Sequence, residues 1–355
     1  MVNIPKKRPT LREVAEHAGV STATVSLVVN GKADGAGITQ ATQEVVHRSI
    51  RELQYTPNRM ASAVVTGRSR MVGVVSAMSR ELFDTKFGPR VLSGFARGAR
   101  RMGYHFVFLE DILSIDETNH FPVLKTASEM CLEGLVLLVD IGKEEQIREI
   151  ENRISKVLPN VTVQFTFAPG STPGFRVDHK AAAKEIVEHL ISLGHERVGF
   201  GARNLDVVRS ESVIALLENS MAQLGGRFDR DLLFEIPQKE RMGEFVEAIR
   251  RKRPTGLFTL YDGEAVRAIG ALREAGIQVP EDLSITGYGN FPLSKEVTPS
   301  LTTYRPPMVE IGEAAIRHLI ECIEQQRDTI LESSVEMTGN LVIRGSTGPV
   351  PVSVS

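Results

Sequence analysis

The sequence predicts an α/β protein with a small helical head at its N-terminus and two doubly wound parallel sheets behind it. Three observations carry that reading. Residues 10–53 hold short amphipathic helical patterns separated by Gly and polar breaks. From Met71 onward, short apolar runs alternate with longer amphipathic stretches, the pattern of strand–helix repeats that build parallel sheets. The chain is 355 residues long, 42% hydrophobic and 24% charged, which gives apolar material for two or three compact units.

In the head, Thr10-Leu11-Arg12-Glu13 has the form of a capping box, in which Thr10 and Glu13 satisfy first-turn amides reciprocally. Leu11, Val14, Ala15 and Ala18 then line one helical face, and Gly19 stops the helix because it takes a left-handed cap cheaply. Ser21 caps a second helix, with Val25, Val28 and Val29 inside, that ends at Asn30-Gly31. Two short helices joined by a tight Gly-containing turn form a helix-turn-helix. Ala15 must be small for the helices to cross, and Val25 plugs the angle between them. A third helix starts near Thr39, with Val45, Val46, Ile50 and Leu53 as its buried stripe. It ends at Tyr55-Thr56-Pro57-Asn58, because the residue before Pro avoids helical angles. The glycine-rich loop Lys32–Gly37 reads as flexible.

Charge is unevenly placed. Residues 1–70 carry ten Lys/Arg against five Asp/Glu, a net of +5, whereas the whole chain is −2, so the remainder carries −7. A basic head on an acidic body points to a polyanionic partner or to a solvated basic face. The two cysteines, Cys131 and Cys322, are too far apart in sequence for a metal or redox motif and fit a reducing compartment. The N-terminus lacks an apolar secretory core, and no stretch reaches the roughly 18 apolar residues of a membrane span, so a cytoplasmic protein without membrane contact is expected. Phosphate-loop, dinucleotide-fingerprint, zinc-protease, Cys-x-x-Cys and nucleophile-elbow patterns are all missing. Neither an enzyme nor a cofactor or metal is expected, and His189 and His195 read as structural.

Behind the head, strands are expected at Met71–Ser76, His105–Leu109, Leu135–Val139, Val161–Phe165, Arg197–Phe200, Gly256–Leu260 and Leu283–Tyr288. Helices are expected at Val91–Met102, Ala181–Leu193, Ser212–Leu224, Glu264–Ala275 and Met308–Gln325, and residues 340–344 are again strand-like. The expected units are a head at 1–59, a hinge helix and linker at 60–70, a first lobe from 71–168 and 301–330, and a second lobe from 169–300 and 331–348, with the chain crossing back between lobes near 298–303 and 331–340.

Two stretches of the head, TLREVAEHAGVSTATVSLVVNG and YTPNRMASAVVTGRS, closely resemble the head of the LacI/GalR family, bacterial regulators that answer to a ligand and bind palindromic operators as dimers, mostly as repressors. The resemblance implies that Thr22 and Ala23 face base edges in the major groove of double-stranded DNA. It places Thr10, Thr24, Ser26, Asn30, Tyr55 and Asn58 on phosphates, which set register rather than sequence. Ser21 and Arg59 complete the contact set. Leu27 stands where many members carry a guanine-reading Arg; it either meets an apolar group such as a thymine methyl or packs on the head's own core. Residues 60–65 match the hinge helix that wedges into the minor groove, with Ala61 in it and Val64 at the place of the usual Leu wedge.

The body resembles the type I periplasmic-binding-protein fold of the family's sensor, through EHLISLGHERVGF (188–200), LREAGIQVPEDLSITGYG (272–289) and TPSLTTYRPP (298–307). In that fold two lobes close on a small-molecule effector. The implied cleft residues are Phe83 and Phe87, as an aromatic wall or as lobe core; Asp178, touching ligand or capping a helix; Arg209; and Asp262, accepting ligand hydroxyls or capping the helix at Glu264. Gly289 and Asn290 stand where the family pattern has two carboxylates. A sugar, sugar acid or sugar phosphate is the implied effector class, and the missing carboxylate favours the acidic members. A homodimer is implied throughout.

Overall fold

The computed structural model describes residues 9–56, 67–76, 87–109, 122–139, 152–165, 173–205, 211–327, 329 and 331–350. The chain divides into two compact units, Met1–Ser69 and Arg70–Ser355.

The head is built from α1 (Leu11–Ala18), α2 (Thr22–Val29) and α3 (Gln40–Glu52). Its ends are set by the residues that the sequence marks. Thr10 and Glu13 form the capping box, Gly19 takes the left-handed cap at φ 67°, and Ser21 and Thr39 cap α2 and α3. Each such N-cap stabilises its helix by about 1 kcal/mol. Val14, Ala15, Val25, Val28 and Val46 close the core where the helices meet. Two expectations fail here. Val45 is 39% exposed, and its place inside is taken by Ser49. The inward stripe of α3 runs 46, 49, 50, 53, the helical spacing that leaves 45 to one side. The Ser49 hydroxyl is satisfied by the Val45 carbonyl and by His17 Nδ1. The loop Lys32–Gly37 is also a defined turn rather than a slack one. Ala33 is buried in the core, residues 34–36 make one 3-10 turn, and the Gln43 amide ties Asp34 to the Ile38 carbonyl.

The body runs β1 (Met71–Ser76), α4 (Gly88–Arg101), β2 (His105–Leu109), α5 (Pro122–Glu129), β3 (Leu135–Val139), β4 (Asn160–Gln164) and β5 (Phe175–Val177). It continues α6 (His179–Ser192), β6 (Val198–Ala202), α7 (Glu211–Gln223), β7 (Leu233–Glu235), α8 (Met242–Lys252), β8 (Gly256–Thr259), α9 (Asp262–Glu274) and β9 (Ser284–Tyr288). It closes with α10 (Leu293–Glu296), β10 (Thr302–Arg305), α11 (Met308–Gln325), β11 (Val335–Met337) and β12 (Asn340–Val342). Two six-stranded sheets result, ordered β11-β5-β4-β3-β1-β2 and β12-β10-β9-β8-β6-β7. Pairing is parallel except for β12, which runs antiparallel to β10. Strands such as β3, buried at every position, are continuous apolar runs because helices cover both faces of the sheet.

The first sheet packs on α4 and α11 through Val91, Phe95, Ile311 and Ile316. The two helices meet backbone to backbone: a Cβ on Gly94 would strike Val309 and Glu313, and one on Gly312 would strike the Val91 carbonyl. The second sheet holds α8 and α9 on one face and α6 and α7 on the other.

The lobes exchange chain at three points. β5 lies in the first sheet, so that crossing falls at Asp178 rather than after 168. β10 lies in the second sheet, so the return falls at Pro306-Pro307, a few residues beyond the expected 298–303. β11 still belongs to the first sheet, so the last crossing is at residues 338–339, within the expected 331–340. The physical reason is common to all three. A short strand joins each sheet before the chain leaves it, and strands of three or four residues carry too little pattern to be seen in sequence.

Candidate functional site

On the head, the first turn of α2 projects Thr22 and Ala23 into solvent, while Val25 and Val28 face inward. The Ser21 hydroxyl accepts from Thr24 N–H at 3.1 Å and bonds the Thr24 hydroxyl at 2.9 Å, so both are oriented at the helix N-terminus. Asn30 donates its amide to the Ser26 carbonyl (2.8 Å) and hydroxyl (3.3 Å). Thr10 is held by Glu13, with its own N–H donating to that carboxylate at 2.6 Å. Tyr55 packs on the head core, and burial pushes its phenol up, which keeps it a neutral hydrogen-bonding group. Leu27 is half-buried, yet it does not join the hydrophobic cluster of the head among the described residues. α2 carries no charged side chain; its outward chemistry is hydroxyl and methyl. Asn58, Arg59, Ala61 and Val64 lie outside the described residues.

In the body, the turn after β9 brings together several of the residues expected at the cleft. Gly289 has φ 133°, and the ring of Phe291 folds into the space that a Cβ at 289 would need. Asn290, at φ 49°, donates its N–H to Thr303 Oγ1 at 3.2 Å and accepts from Arg344 Nη2 at 2.7 Å. Asp262 is fully buried at the start of α9. Its Oδ2 accepts from Phe291 N–H at 2.8 Å and its Oδ1 from the Thr303 hydroxyl at 2.5 Å. The α9 cap is Tyr261, whose carbonyl accepts from Glu264 N–H, rather than Asp262, and the Asp262 carboxylate pins the 289–291 turn. Gly287 leaves the room this needs, since a Cβ there would stand 2.5 Å from Asp262 Oδ1.

Phe87, at the start of α4 in the first lobe, reaches this turn. Its ring centroid lies 5.1 Å from Phe291, 5.8 Å from Tyr261 and 6.1 Å from Tyr288. Phe87 packs against the hydrophobic clusters of both lobes. Asp178 caps α6, its Oδ1 accepting from Ala181 N–H at 2.9 Å; its neighbour His179 makes the link to Tyr288, with Nδ1 3.2 Å from the phenol. Tyr288 stacks on Tyr304 at 5.5 Å, and burial pushes the Tyr304 phenol up to about 12. Phe83 and Arg209 lie outside the described residues.

Sequence reasoning did not single out Arg90, Tyr261, Phe291 or Arg344. Arg90 had a readable signal: a cation in the first turn of a helix, directly after Gly88-Pro89, works against the helix dipole. His189 and His195 hold the C-terminal segment, bonding Thr347 and Gly348 respectively. Among the described residues no cluster of three His, Cys, Asp or Glu could hold a metal, and no helix is long and apolar enough to cross a membrane.

Residues 10–58 match the lacI family of bacterial regulatory proteins, and residues 187–347 match the periplasmic binding protein-like domain, together more than half the chain. The chain belongs to the LacI family. Its LacI-family relatives match along nearly their whole length. The transcriptional regulator DegA of Bacillus subtilis is 27% identical, covering 97% of this chain and 99% of its own. The transcriptional repressor PurR of Aliivibrio fischeri is 26% identical over 92% and 98%. Catabolite control protein A of Staphylococcus xylosus is 27% identical over 95% and 99%. The Lac repressor dimer bound to operator and the anti-inducer ONPF shares the fold at a TM-score of 0.75, with 22% identity, 96% of this chain and 100% of its own covered. The regulator CelR in complex with cellobiose shares it at 0.60, with 23% identity over 96% and 100%. The protein is a DNA-binding transcription regulator of the LacI family, with a helix-turn-helix head and a two-lobed, periplasmic-binding-protein-like body.

Proposed function

We propose that this regulator is a repressor that binds a palindromic operator as a homodimer and releases or engages it in response to a small molecule held between the two lobes. The observation that carries the reading is the outward first turn of α2. Thr22 and Ala23 stand exposed at the helix N-terminus of a packed helix-turn-helix, the position from which such a helix meets base edges. Thr10, Ser21, Thr24, Ser26, Asn30 and Tyr55, with Asn58 and Arg59, supply phosphate contacts, and Ala61 and Val64 the minor-groove wedge. Leu27 offers an apolar contact such as one to a thymine methyl, since it is part-exposed and is not among the described members of the head core.

The effector is a sugar, sugar acid or sugar phosphate. Phe87, with Phe83, provides an apolar wall; Gly289 and Asn290 form the floor; Asp178 and Arg209 lie at the margin. Asp262 acts by fixing the floor rather than by touching ligand. The body works as a cytoplasmic sensor, not as an enzyme. Ligand and operator bias the same lobe arrangement, so each changes the other's affinity by the same factor. Selection from a labelled pool of palindromic duplexes at physiological salt tests the head: a symmetric consensus is expected, and a pool that shows no enrichment removes the operator reading.

A further inference from the structure

Arg90 occupies a place that helix electrostatics disfavours. It lies in the first turn of α4, where the positive end of the helix dipole repels a cation. It is half-buried, and burial lowers its guanidinium from the ordinary value, with Asp262 opposing at longer range and Arg305 adding to the lowering. Two neutral acceptors hold it. Nη1 donates to the Gly289 carbonyl at 2.5 Å and Nη2 to the Asn290 carbonyl at 2.7 Å, with the Phe291 ring 4.7 Å from the guanidinium carbon. All three partners belong to the turn after β9, so a first-lobe cation is tied across the cleft to the second lobe.

The surroundings are short of negative charge. Residue 289, which carries a carboxylate in the pattern this sequence resembles, is Gly, and Phe291 fills the space of its missing side chain. The Asp262 carboxylate is committed to Phe291 N–H and the Thr303 hydroxyl. A guanidinium fork fits the two oxygens of a carboxylate or phosphate bidentately and is neutralised by them; a sugar hydroxyl offers neither advantage over the carbonyls already in place.

We propose that Arg90 is the anion receptor of the effector site: a carboxylate or phosphate of the ligand takes the guanidinium from the Gly289 and Asn290 carbonyls and so unties the two lobes at this point. This rests on the reading that the effector binds between the lobes. Phe87, packed on both Phe291 and Tyr261, offers the rest of the ligand an apolar wall.

The test uses the full chain in calorimetry and thermal shift. The probes are gluconate, glucuronate and glucose 6-phosphate at millimolar concentration, with glucose and ribose as neutral counterparts. At least one anion should bind the wild type, its neutral counterpart should not, and Arg90→Gln should weaken the anion by about tenfold or more. Arg90→Lys, which keeps the charge without the fork, should recover part of the loss and guards against a Gln variant that does not fold. An anion held equally well by Arg90→Gln, or a neutral sugar preferred by the wild type, overturns the role of Arg90 and leaves the cleft reading standing. If none of the five probes binds, the anion receptor is overturned. If, in addition, a wider small-molecule panel leaves operator affinity unchanged, the effector reading falls with it.

Discussion

At the scale of single residues, the head reads DNA with unusually plain chemistry. α2 offers the hydroxyls of Thr22, Thr24 and Ser26 and the aliphatic Ala23 and Leu27, where an amide or guanidinium would make bidentate bonds to a purine. Leu27→Arg should therefore draw guanine into the selected half-site, and an unchanged consensus would show that residue 27 does not meet a base. In the body, Asp262 should behave as a structural group. Asp262→Ala leaves the Phe291 N–H and the Thr303 hydroxyl without a buried acceptor, a loss of about 1–3 kcal/mol in chemical denaturation. His195 adds a pH dependence. Burial pushes its imidazole below the ordinary value, the Gly348 carbonyl opposes, and His189 adds to the lowering. The unfolded imidazole protonates near 6.5 while the folded one resists, so the unfolded state binds more protons as pH falls. Melting temperature should hold above about pH 7 and decline toward about pH 5. His195→Gln should flatten that decline, and an identical decline in the variant would exclude His195 as its source.

Among the elements, what was legible depended on length and pattern. The three head helices were readable from their caps, because Thr10, Gly19, Ser21 and Thr39 each perform a local task that needs no tertiary partner. Long body elements were readable for the same reason: β1 is an unbroken apolar run, and α11 an 18-residue amphipathic stretch. The short strands β5, β7, β10 and β11 were not read, since three or four residues carry too little pattern and their register is set by pairing with strands from distant chain. The cleft was half-legible. Gly289 and Asn290 stood out against the family pattern. Arg90 did not, because its partners are backbone carbonyls at a sequence distance of about 200 residues, which no local pattern reports. Glycine gives a test at this scale. In α4, Gly94→Ala drives a methyl into the backbone of α11 and should destabilise by about 1–3 kcal/mol. In α9, Gly270→Ala meets nothing within 4 Å and should stabilise by up to about 1 kcal/mol. Equal effects of the two substitutions in thermal melts would contradict the backbone-to-backbone contact of α4 and α11.

For the whole molecule, the three crossings between the lobes matter most. Each sheet takes strands from more than one segment of chain, and the final crossing places β11 in one sheet and β12 in the other within a few residues. The head, by contrast, is one continuous segment, Met1–Ser69. That difference has a consequence for inheritance. Recombination between two such genes could give a regulator a new operator preference through one breakpoint near codon 69, since a single cut transfers the whole reading unit. A new ligand preference has no such shortcut: any one breakpoint between β1 and β12 splits at least one sheet between two parents. New sensing should therefore arise mostly by point substitution around the cleft, and new targeting by exchange of heads.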